Sequence, residues 1–304
     1  MVEITISGLS FSREMVEKNI LVMGKVDYEA SLKIYKKVGE TGYDRIAFIG
    51  KRDLIKTLPC DLRISWREIK NDSIIVPIDY FEMSEFESLY HAAAGYHPSF
   101  EELKILERIL NTLKEKGKNK AQDFQDIAEE ILESEGGSAI EKIVIKLVGG
   151  ATERLSCVLG DERGLEKMKG DIVIDATELP GTGQRAMLFT LASRIPASNL
   201  VVFFDRGEVL AETSPFISYD YTIFNELRRR NIFFFLIIES LEGIPKIILD
   251  QFRYHLVGRL KKFEVSILRD FYKMEAKLAD IILDLPEGVF LLFKDNKFID
   301  VVEV

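Results

Sequence analysis

The stretch ILVMGKVDYEASLKIYKKV, Ile20 to Val38, decides how the rest of the chain is read. Four apolar residues run into Gly24, and apolar residues three and four apart follow, which predicts a strand, a tight turn and an amphipathic helix opened by Ser31. Counted from Gly24, Ser31 fills the eighth position of G-x-x-x-x-G-K-[ST], the loop whose backbone N–H groups cradle phosphate. Glu29 stands where the second glycine belongs, and Ala30 where the lysine belongs. The register is that of a phosphate loop, but the residue types that grip the anion are missing.

Gly42 precedes a second apolar strand at Arg45 to Ile49, so the chain starts as strand, loop, helix, strand, the opening of a parallel sheet with crossover connections. Ile74 to Ile78 reads as another short strand. From Ser84 to Glu135 the pattern turns helical, broken at Gly95, Pro98 and Gly117 to Lys120, which predicts a three-helix insertion with a capping box at Ser99 and Glu102. Asp171 to Asp175, Leu200 to Phe204, Ile232 to Ile238 and His255 to Gly258 are sheet-like; continuous apolar runs of this kind suit strands covered on both faces. Val289 to Phe293 and Phe298 to Val302 alternate about Asp295-Asn296 and read as a hairpin. The expected organisation is one α/β domain, its first part at 1–83 and its second at 136–304, with the helical insertion at 84–135.

The chain has 304 residues, 47% of them hydrophobic and 30% charged, enough to bury a full core. No apolar run reaches the roughly 18 residues of a membrane span, and MVEITISGLSF lacks the basic region and long apolar core of a signal peptide. A cytoplasmic protein is expected. Cys60 and Cys157 then read as buried free thiols. A net charge of −9 disfavours a surface built to grip nucleic acid, because phosphate contacts need clustered Lys and Arg. Sparse glutamine beside abundant Lys, Glu and Ile matches a thermophile's bias, as in archaeal proteins from hot habitats.

The segment LVVFFDR places Asp205 at the end of an apolar strand, where P-loop ATPases hold an aspartate next to magnesium. Arg206 follows it, and guanidinium cannot serve as a base. Taken in order, the loop at Gly24, the helical insert, IDATELP, VVFFD and ELRRRNIFFFLIIESLEGIPKIILDQFRYHLVGRL resemble the HerA and FtsK branch of P-loop ATPases. Arg228 and Arg229 match a basic pair before the sensor strand, Ile244-Pro245 and Ile248-Leu249 a turn and helix, and Arg259 a closing arginine. LDLPEGVFLLF is similar to the family's ending, so the resemblance covers nearly the whole chain. It implies a RecA-like P-loop fold with a mainly parallel central sheet, a helical insertion and a C-terminal hairpin.

Against that pattern, Ala30 replaces the lysine, Glu29 the glycine, Arg206 the catalytic glutamate and Glu239 the sensor glutamine, while Ser31 and Asp205 remain. Losing one charge-assisted lysine contact forfeits about 1.5–3 kcal/mol. A glutamate about 5 Å from a phosphate charge adds roughly 3 kcal/mol of repulsion, and a non-glycine residue at positive φ about 1–2 kcal/mol. The expectation is a pseudo-ATPase with no catalytic residues and no cofactor, binding Mg-ATP weakly at most, with Lys25 or Lys33 as partial substitutes. It would act as an interaction or regulatory subunit, self-associating or joined to an active HerA-like ATPase, with Arg228, Arg229 and Arg259 at the interface. The isolated chain is expected to bind neither duplex DNA nor membrane. The competing expectation is a divergent active ATPase or DNA translocase with compensating residues. His91, His97 and His255 read as surface or cap residues, and Asp171 and Asp175 as polar strand ends, so no metal site is expected.

Overall fold

The computed structural model describes residues 6–65, 83–94, 98–118, 121–134, 142, 145–146, 170–177, 198–210, 224–225 and 227–304. The strand expected at Ile74 to Ile78, Cys157 and His97 lie outside them. Among the described residues ten strands form one sheet: β1 (Ile6–Gly8), β2 (Ile20–Met23), β3 (Asp44–Ile49), β4 (Leu62–Ser65), β5 (Ile172–Asp175), β6 (Leu200–Phe204), β7 (Ile232–Ile238), β8 (Tyr254–Val257), β9 (Val289–Lys294) and β10 (Lys297–Glu303). Their order is β1-β10-β9-β8-β2-β7-β6-β3-β5-β4. Only β9 runs against the rest; it is antiparallel to both β8 and β10, and all other pairings are parallel. The four apolar runs that begin at Ile20, Asp171, Leu200 and Ile232 therefore share one sheet, with β3 placed between β5 and β6.

The central strands are apolar on both faces because both faces are covered. Every residue of β2, β6 and β7 is buried. Along β2, Leu21 and Met23 face one core and Ile20 and Val22 the other. The second core is closed by α1 (Arg13–Val16), α2 (Tyr28–Gly39) and α3 (Arg52–Thr57). The first is closed by α4 (Met83–Ala94), α5 (Phe100–Lys116), α6 (Ala121–Ser134), the short α7 (Lys246–Leu249), α8 (Lys262–Tyr272) and α9 (Ala276–Leu283). Fully burying one large aliphatic or aromatic side chain contributes about 1.5–3 kcal/mol.

Local chemistry ends these elements where expected. Ser99 caps α5 in a reciprocal box with Glu102, and Gly117 closes it in the left-handed region. Asp295 and Asn296, both at positive φ (48° and 64°), make the two-residue turn between β9 and β10. His255 differs from expectation: it is neither surface nor cap but lies in the core of β8. Its ring is satisfied there, with Nε2–H donating to the carbonyls of Phe252 (2.9 Å) and Leu249 (3.2 Å) and Nδ1 paired with the Tyr272 hydroxyl. Cys60 is half-buried rather than buried.

Candidate nucleotide site

In a sheet of this topology ligands gather at the carboxyl ends of the parallel strands. At that edge β2 gives way to Gly24, whose φ is +104°. A Cβ there would lie 2.7 Å from the Arg259 carbonyl oxygen, so only glycine fits. The Gly24 N–H donates to Ile238 O (2.9 Å) and the Lys25 N–H to Arg259 O (3.2 Å). The first amides of the turn are therefore spent on neighbouring backbone.

Helix α2 starts at Tyr28, three residues before Ser31, because Asp27 is a better cap than the motif register suggests. Its side-chain oxygen accepts from the Ala30 N–H at 2.7 Å. The backbone that would wrap a phosphate is wound into helix, and a carboxylate already sits at the helix N-terminus. Ala30 and Ser31 are 4% and 1% exposed on the core side of α2, and the Ser31 hydroxyl has no hydrogen-bond partner among the described residues. Glu29 faces solvent.

Asp205 ends β6, one strand beyond β7 from the loop. It is 1% exposed, and its carboxylate accepts from the N–H groups of Gly50 (2.6 Å) and Lys51 (3.2 Å). Burial raises its pKa to about 6, against the pull of those amides and the Lys51 charge. Arg206 is exposed and lies over Gly50. Glu239, at the end of β7, is half exposed and pairs with Lys51. The Lys51 ammonium also donates to Val26 O at 3.2 Å, within the loop that follows β2. One lysine thus joins the ends of β2, β3 and β7 and lies close to Asp205. Sequence reasoning passed over it, although Gly50-Lys51 directly after an apolar strand is a readable signal. Lys25 and Lys33 are engaged elsewhere, with Glu287 (2.8 Å) and Val304 O (3.2 Å).

Arg259 follows β8 at the same edge, with its side chain exposed. Arg228 and Arg229 precede β7, whose seven residues place them about 20 Å away at the opposite edge. Arg228 donates to Gln251 O (3.1 Å). Asp171 pairs with Arg45, and Asp175 accepts from the Thr177 N–H (3.0 Å) and hydroxyl (2.6 Å). No cluster of three or more His, Cys, Asp or Glu able to hold a metal occurs among the described residues.

No protein-family model matches the chain, and no curated protein matches it. Solved structures do. VirB4 of Thermoanaerobacter pseudethanolicus superimposes with a TM-score of 0.72 at 14% identity, over 94% of this chain and 89% of that one. The bacterial conjugative coupling protein TrwB with sulphate gives 0.69 at 12% identity, over 100% and 89%. TrwB in complex with ADP and Mg2+ gives 0.68 at 12%, again over 100% and 89%. At such identities the likeness carries architecture alone: over essentially its whole length, the chain has the RecA-like P-loop NTPase fold of VirB4 and TrwB.

Proposed function

We propose that this chain is a catalytically inactive relative of the HerA and FtsK-type ATPases, acting as an interaction or regulatory subunit. The observation that carries the reading is the start of α2, where the Asp27 carboxylate takes the Ala30 N–H and the lysine position is a buried alanine. A phosphate brought there would meet a like charge in place of free donors. TrwB has been captured with ADP and Mg2+ on this fold. The residues of the present chain do not fit that group: Ser31 is buried away from solvent and Asp205 is turned into the β3–α3 loop.

One observation favours a second reading, a divergent active ATPase. The Lys51 ammonium reaches the Val26 carbonyl from another element and could meet phosphate there in place of the missing lysine. Its pairing with Glu239 and its closeness to Asp205 argue for an internal counter-ion instead.

As a subunit, the chain would work in the cytoplasm, with copies of itself or with an active HerA-like ATPase. Arg259 is available at the site edge, and Arg228 and Arg229 lie at the far edge for a neighbour. Among the described residues no helix is long and apolar enough to cross a membrane. Light scattering of the pure chain, and of its mixture with an active HerA-like ATPase from the same source, tests the assembly. A higher-order species in either sample is expected, with no appreciable binding of added duplex DNA by the pure chain at about 150 mM salt. Monomers in both, with the ATPase's turnover unchanged by mixing, would refute the reading.

A further inference from the structure

A concave pocket of about 510 Å³ opens between the α8–α9 turn, α9 and the β9–β10 hairpin. It is remote in the fold from Gly24 and Asp205, on the far side of β8. Its floor is apolar: Tyr272, Leu291 and Phe293 are buried, with Tyr272 stacked on Phe293 at 4.4 Å between ring centres. Leu278 and Ile281 line it from α9 and Phe298, 43% exposed, from β10. The volume falls within the range of about 300–1,000 Å³ typical of small-molecule sites.

The mouth carries a second signal. Lys273, Lys277 and Lys297 all line it and are exposed, and none makes an ion pair among the described residues. Glu275 is the one acidic residue in the lining. On a chain with net charge −9, three lysines against one glutamate give the lining of this apolar hollow a net charge of opposite sign to the whole. Lys273 also holds the left-handed C-cap of α8, with φ of +52°, where glycine would be relaxed. A lysine is thus set at the rim at some conformational cost.

We infer that this pocket binds an anionic amphiphile, its apolar body against Phe293, Leu291 and Leu278 and its carboxylate or phosphate head among Lys273, Lys277 and Lys297. The concavity and the closed aromatic floor favour a small ligand over a flat protein contact. The head group is recognised as charge, since ammonium groups act as point donors without a planar fork.

Calorimetric titration of the full chain at pH 7.5 with sodium decanoate, decanol and decyltrimethylammonium tests this. Decanoate is expected to bind at one site, about tenfold or more tighter than either comparator. Lys277→Glu with Lys297→Glu, both exposed changes, should weaken decanoate by about tenfold or more with an unchanged melting profile. Phe298→Asp should weaken decanoate and decanol alike. Absence of saturable decanoate binding up to about 1 mM, equal affinity for the three head groups, or indifference to the variants would overturn the inference. So would a chain that ignores decanoate and dimerises through Phe298, which would assign the groove to protein docking.

Discussion

Asp205 and His255 are both buried, and burial moves them in opposite directions, the carboxyl up to about 6 and the imidazole down to about 4. In each case loss of hydration disfavours the charged form. For Asp205 the folded chain holds its proton more tightly than the unfolded chain, so between about pH 4 and 6 this group's contribution to stability falls as pH rises. For His255 the unfolded chain binds the proton more tightly, so between about pH 4 and 6.5 its contribution rises with pH. Each displacement is worth up to about 3 kcal/mol across its window, and the two largely cancel. Asp205→Asn removes only the falling limb. Denaturant unfolding from pH 4 to 7 should show the variant gaining up to about 3 kcal/mol on the wild type as pH rises. A constant difference across that range would mean Asp205 is not held as described.

At the scale of elements, the turn between β2 and α2 is where sequence and structure part. Gly24→Ala should cost about 1–2 kcal/mol for the left-handed backbone, with more from the collision with Arg259 O. Asp27→Ala should cost about 1 kcal/mol through the lost cap. Equilibrium unfolding measures both, and a neutral Asp27→Ala would deny that the carboxylate holds the helix start. The strands β2, β6 and β7 were legible because runs such as LVVFF and IFFFLII fit only positions covered on both faces. The box at Ser99 and Glu102 and the Asp295-Asn296 turn were legible because each is a local pattern with its own chemistry. The true start of α2 was hidden: the motif register pointed to Ser31, and the competing signal, Asp27 three residues before Ala30, won on hydrogen bonding. β1 and β4, of three and four residues, are too short to show a period. Lys51 was missed because its role depends on strand order. β3 and β2 lie apart in the sheet, with β6 and β7 between them, and the long Lys51 side chain reaches across to Val26.

For the whole molecule, the ten-stranded sheet preserves the scaffold of a nucleotide-binding fold while its carboxyl edge is tied together by protein groups. Asp27 occupies the α2 amide, Lys51 links Val26 to Glu239, and the Gly50 and Lys51 amides hold Asp205. The proposed loss of the phosphate site is compatible with survival of the fold because the apolar side chains that hold the sheet are gathered in the two cores. The most direct test is a calorimetric titration of the chain with Mg-ATP at 25 °C, repeated on Lys51→Met. No binding tighter than about 1 mM is expected in either protein. Micromolar Mg-ATP binding by the wild type that disappears in Lys51→Met would contradict it, and would identify Lys51 as the lysine of a working site.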